Sequence, residues 1–126
     1  MKDGRPVNLD ISTMSLPITA WASISHRICG VLMIPSFALF LWILQISLDS
    51  EESFQVLEKN LHMPMNKLAI WLILTIYAYH LLAGVKHLIM DFGYGETFQG
   101  GVISAKLLFA STGIIFILIG WWLWLI

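Results

Sequence analysis

Charge is what this sequence has least of. Asp, Glu, Lys and Arg make up 12% of its 126 residues, and 58% are hydrophobic. A water-soluble domain draws about a quarter of its residues from the charged set. Seven Lys/Arg and eight Asp/Glu cannot coat one, so an ordinary cytosolic globule is excluded. The net charge of -1 leaves no basic stripe for nucleic acid. A single cysteine, Cys29, excludes an internal disulfide and a multi-cysteine metal cluster. Residues 1–22 hold no apolar stretch of signal-peptide kind, and Asp3 and Asp10 are foreign to a transit peptide. The expectation is a mature N-terminus, as in a bacterial inner-membrane protein. No internal repeat, low-complexity tract or second domain is visible.

What the sequence does have is three long runs free of Asp, Glu, Lys and Arg: Ile28 to Leu48, Leu68 to Val85, and Leu107 to Ile126, of 21, 18 and 20 residues. About 20 apolar residues cross a hydrocarbon core of about 30 Å as a helix. Lipid offers no partner to unpaired backbone, and none of the runs alternates as a barrel strand does. The prediction is an all-α membrane protein, one domain over 1–126, with spans near 23–48, 67–91 and 103–126.

Positive charge sets the expected orientation. Lys2, Arg5, Arg27, Lys86 and Lys106 fall on one side, and Lys59 and Lys67 on the other, beside Asp49, Glu51, Glu52 and Glu58. The bias places the N-terminus in the cytoplasm and the C-terminus in the periplasm. Trp121, Trp122 and Trp124 then form an outer interfacial belt, with Trp42 and Trp71 near the same level. Asp49 to Lys67 reads as a polar outer loop with a weak amphipathic stretch, and Asp91 to Gly101 as a glycine-rich inner turn. Pro35 removes a donor within span one and is expected to bend it. Three helices are few for a self-contained transporter, so a subunit of a larger membrane complex is the natural reading.

Ionisable groups at membrane depth are costly and mark function by default. The first cluster is Ser23-x-x-His26-Arg27-x-x-Gly30. On a helix these positions share one face, with a hydroxyl, an imidazole and a guanidinium at the inner mouth of span one. Gly30 leaves room for a ligand or a neighbouring backbone. The set can hold a carboxylate, a carbonyl oxygen or a lipid phosphate. It equally suits a plain anchor, with Arg27 snorkelling and His26 at the interface. The second cluster is His80-x-x-x-Gly84-x-x-His87. His80 lies about 18 Å along the helix from Leu68, and His87 is on the same face about 10 Å nearer the inner surface. A buried imidazole needs a partner. That partner is either a metal, haem iron being the usual one between helices, or a carbonyl on a neighbouring helix. Gly84 would let a flat macrocycle approach. His62 reads as solvated, Cys29 as apolar filler, and Tyr77 and Tyr79 as packing residues.

These motifs together resemble the cytochrome b subunits of succinate dehydrogenase, the larger of two membrane anchors in succinate:quinone oxidoreductase. Four stretches carry the likeness: Arg5-Pro6-Val7-Asn8-Leu9-Asp10, Ser23-Ile24-Ser25-His26-Arg27-Ile28-Cys29-Gly30, Tyr79-His80 with Gly84, and His87-Leu88-Ile89-Met90-Asp91-Phe92-Gly93-Tyr94. The likeness covers the whole chain. Cys29 departs from it, standing where the family usually has a small hydroxyl residue.

The resemblance implies a chain that, with a smaller hydrophobic partner, anchors a flavoprotein that oxidises succinate and an iron–sulfur protein that relays the electrons. It implies haem b held between the two anchors, the three spans being half of a two-subunit haem-binding helical bundle, and ubiquinone as the electron acceptor. By position, Ser23 and Arg27 match quinone-binding residues. His80 matches an axial ligand of the haem iron, the second ligand coming from the partner. His26, Arg27 and His87 lie where haem propionates are expected. Two readings stand beside it within the family: a haem-free structural anchor, and a fumarate reductase anchor running the chemistry in reverse. An unrelated three-helix transport or assembly subunit is the third alternative.

Overall fold

Backbone in hydrocarbon must pair its own N–H and C=O groups, and the charge-poor runs accordingly form long helices. The computed structural model describes Asp10 and residues 13–125. The order is α1 (Ile18–Asp49), α2 (Glu51–Leu61), α3 (Pro64–Asp91) and α4 (Phe98–Leu125), with no strand among the described residues. α1, α3 and α4, of 32, 28 and 28 residues, are long and apolar enough to cross a membrane. Lys2 and Arg5, which entered the charge count, lie outside the described residues, as do the Arg5–Leu9 stretch of the motif and Ile126.

The helices overrun the expected spans at their N-terminal ends. α1 and α4 start at Ile18 and Phe98 rather than near 23 and 103, and α3 at Pro64 rather than near 67. Charge marks where lipid ends, whereas helical hydrogen bonding continues into the polar flank. Ala20 and Trp21 donate to the Pro17 carbonyl at 3.0 and 3.2 Å and open α1. α1 continues through Pro35.

The expected outer loop is largely a helix. The Ser50 hydroxyl caps α2 by accepting from the Ser53 N–H at 3.1 Å. Glu51 and Glu52 in its first turn and Lys59 in its last complement the helix dipole. Pro64 then opens α3 at a position where its missing N–H does no harm. Gly93 and Gly95, at φ +87 and +76, make the left-handed turn between α3 and α4.

α3 packs against both α1 and α4, and α1 also meets α4. The shared core is Ala22, Tyr79, Ala83, Ala105 and Leu108, with Cys29 and Phe109 against it. Three alanines there let the helix backbones approach closely. Tyr79 donates its hydroxyl to the Ala22 carbonyl at 2.9 Å and tilts against Phe109, so it packs as expected. Only 6 to 11% of each span's apolar window is buried within the chain. Most of the apolar surface therefore faces lipid or other subunits.

Candidate functional site

His26 lies two turns into α1, and the antiparallel α3 brings His80 and His87 alongside it. The His26 and His80 rings stack with centroids 4.1 Å apart and planes 29° from parallel. The His87 ring is tilted, 5.4 Å from that of His26. Three imidazoles separated by up to 61 residues in sequence thus form one cluster.

His80 is held at its Nδ1, which is 3.2 Å from the His26 carbonyl oxygen. A carbonyl only accepts, so Nδ1 carries the proton and the lone pair is on Nε2. This is how proteins orient a metal-binding imidazole through its second nitrogen. Gly30 makes the arrangement possible. A Cβ there would stand 3.1 Å from His80 Cε1, so the room that Gly30 leaves is occupied by the imidazole of the same chain. Gly84, one turn past His80, has nothing within 4 Å of where its Cβ would be. That space is open.

His26 Nε2 is buried and has no hydrogen-bond partner among the described residues. An unsatisfied buried polar atom disfavours the fold by about 1–3 kcal/mol unless something outside the chain pairs with it. His87 is exposed. The described residues contain no set of three or more His, Cys, Asp or Glu able to hold a bare metal ion. One imidazole nitrogen with a free lone pair would fit an iron that brings most of its own ligands.

Ser23 and Arg27 lie one turn apart on α1, Ser23 half-buried and Arg27 exposed. Neither makes a hydrogen bond or ion pair among the described residues. The structure therefore brings together His26, His80 and His87, and leaves Ser23 and Arg27 as neighbours by helical register only.

The face of α3 that carries His80, Gly84 and His87 continues through Tyr77 to Ile73, Ile70 and Asn66. There it opens into a cleft of about 570 Å³ between α1 and α3 under α2, with Phe40 and Ile43 in its walls and Leu57 in its roof. Sequence reasoning missed this cleft, because its walls come from two helices far apart in sequence and its roof, α2, from a segment read as loop. It also missed Ser36, which donates to the Met33 carbonyl at 3.0 Å and lies 3.4 Å from the Tyr77 hydroxyl. A serine between apolar residues of a span was the available signal.

Residues 1–119 match the model of the succinate dehydrogenase/fumarate reductase transmembrane subunit family. The chain is 39% identical to the succinate dehydrogenase cytochrome b556 subunit of Coxiella burnetii over 125 residues, covering 98% of this chain and all of that one. It is 26% identical to the cytochrome b556 subunit of Paracoccus denitrificans, covering 93% and 90% of the two chains. The cytochrome b560 subunit of Reclinomonas americana is 29% identical, with 96% and 87% covered.

Proposed function

The chain belongs to the succinate dehydrogenase/fumarate reductase transmembrane subunit family, and on that premise we propose that it is the larger membrane anchor of a succinate:ubiquinone oxidoreductase. It holds a flavoprotein and an iron–sulfur protein at a bacterial inner membrane, N-terminus in the cytoplasm. With a smaller hydrophobic anchor it binds haem b and shapes the site where ubiquinone is reduced. The chain is not catalytic alone.

One observation carries the haem assignment: Nδ1 of His80 faces the His26 carbonyl at 3.2 Å, which leaves Nε2 as the free ligand atom. The open space at Gly84 on the same face supports it. When bound, the haem supplies a one-electron centre. His80 would hold it from this chain through Nε2, and the smaller anchor, covering the α1/α3 face, would supply the second ligand. Arg27, His26 and His87 would hold its propionates. The buried, unpartnered Nε2 of His26 suits that role.

Ser23 and Arg27 face the quinone. A quinone carbonyl gains negative charge on reduction. A hydroxyl donor and a cation one turn apart would stabilise that charge once the quinone and the neighbouring subunits enclose them, since donors act strongly in a dry site. The two protons of quinol formation come from water at the nearby membrane surface.

The test separates early from late electron transfer. Ser23→Ala and Arg27→Leu are expected to slow ubiquinone reduction, Ser23→Ala by up to about 10²–10³-fold and Arg27→Leu more, since it removes a charge. Reduction of a soluble dye by succinate is expected to persist. Wild-type ubiquinone reduction in both assembled variants would overturn the assignment. So would dye reduction that falls in parallel while the soluble subunits stay attached. A C-terminal periplasmic reporter is expected to be active, and activity only of a cytoplasmic one would reverse the orientation.

A further inference from the structure

α3 and α4 enclose a second groove at the histidine end, of about 210 Å³, on another face of α3. Its walls are apolar except for Lys86 from α3, Tyr94 from the turn, and Ser104 and Ser111 from α4. Lys86 is half-buried and has no carboxylate partner among the described residues. Asp91 and Glu96, at the same end, are exposed and line none of the groove. Lys106 of α4 is also exposed and stands outside it.

Depth decides what fits. Lys86 is five residues before the end of α3 at Asp91, about 7.5 Å along the axis. A lysine stem there follows apolar surface and lifts the ammonium towards the lipid headgroups. Leu82 lies one turn deeper, and with Leu107 and Leu108 it extends the slot into the hydrocarbon. The mouth thus offers a cation and the floor an apolar channel, on the side that the charge bias assigns to the cytoplasm.

A free phosphate would use only the cation. A neutral hydrocarbon would use only the slot. Basic pockets between transmembrane helices at a cytoplasmic surface take anionic lipid headgroups. We propose that the α3/α4 groove binds one anionic phospholipid, its phosphate on Lys86 and an acyl chain along Leu82, Leu107 and Leu108.

The experiment uses the full chain with the subunits that co-purify, exchanged into vesicles of phosphatidylglycerol or phosphatidylcholine and analysed by native mass spectrometry. Wild type is expected to retain phosphatidylglycerol over phosphatidylcholine. Lys86→Gln should lower phosphatidylglycerol retention about five-fold, and Lys106→Gln should not. Ser111→Trp, which fills the groove without altering charge, should remove the bound lipid of either head. Excess inorganic phosphate should fail to displace it. Equal retention of the two lipids, an equal loss in Lys106→Gln, full retention in Ser111→Trp, or displacement by phosphate would each overturn the proposal.

Discussion

At one end of the bundle, Trp71 and Lys67 reach from α3 to α4 and donate to the carbonyls of Phe116 at 2.7 Å and Leu123 at 2.9 Å. At the other end, His26 keeps a buried nitrogen with no partner among the described residues. The tryptophan end is closed chemically. Leu123 is within the last turn of α4, where carbonyls lack a helical donor, and a lysine suits that end of the dipole. Trp71 also stacks on Phe116 at 4.3 Å and meets Trp124 edge-on at 5.6 Å. The histidine end also pairs Tyr79 with the Ala22 carbonyl and His80 with that of His26, yet it leaves one buried nitrogen over. A buried nitrogen left unpaired is costly, so the histidine end is the one that a group outside the chain would complete. The contrast is between an end tied together by its own contacts and an end with a buried polar atom still to be paired, which the proposed function assigns to the site.

The sharpest way to break this contrast is His80→Leu. It removes the imidazole that is held at Nδ1 and carries a free Nε2, and the low-spin haem b signal in reduced-minus-oxidised spectra is expected to be perturbed or lost. Haem at full stoichiometry with an unchanged low-spin spectrum would show that the histidine end is not the site. The next largest effect belongs to the other end. A Cβ at Gly120 would lie 2.6 Å from Trp71 Cζ2, so Gly120→Leu forces the indole out of place. Overpacking of this kind destabilises by about 1–3 kcal/mol. A lower thermal midpoint is expected, with the haem spectrum of the folded fraction unchanged.

Gly30→Ala is milder and aimed at the site. The new methyl meets His80 Cε1 at 3.1 Å, so the ring must turn or retreat by a few tenths of an ångström. Haem is expected to be retained, with a shifted low-spin signal and midpoint potential. Gly84→Ala, where a Cβ meets nothing of this chain within 4 Å, tests the other side of the same pocket. A normal spectrum there would mean the haem does not lie against Gly84. If Gly30→Ala leaves the signal unmoved while His80→Leu abolishes it, His80 is the ligand but Gly30 does not position it.

The three spans were legible because lipid permits few solutions: a charge-free run of 20 residues has to be a helix. His80 was legible by depth, and His26 and His87 by spacing from Arg27 and Gly84. The contact that organises them was not. Gly30 reads in sequence as space for a ligand, and it is space for His80. Whether two side chains on different helices meet depends on helix rotation and axial offset, which one sequence does not display. The same holds for Trp71: its expected level agrees with its place beside Trp124, but the packing of its indole on Phe116 and Gly120 of α4 could not be read from the sequence. α2 was hidden for a different reason. Its eleven residues are polar on average and begin with acidic groups, so charge alone marks a loop, although the apolar residues Phe54, Leu57 and Leu61 share one face of a capped helix.

The smallest expected effect separates the two parts of the Trp71 contact. Trp71→Phe keeps an aromatic ring against Phe116 and removes the indole N–H. The Phe116 carbonyl is not orphaned by this change, because it lies inside α4 and still accepts from the amide of Gly120 in the helical ladder. The loss is therefore one side-chain hydrogen bond without an added desolvation penalty, about 0.5–1.5 kcal/mol. Some contact with Gly120, whose missing Cβ shapes the indole's seat, is lost as well. Thermal unfolding of the intact assembly should shift down slightly, and by less than for Gly120→Leu. The haem signal and ubiquinone reduction should not respond, since Trp71 and His80 are nine residues apart on α3, about 13 Å along its axis. A haem spectrum that moves with Trp71→Phe would show that the two ends are coupled through α3, and the contrast between them would fail.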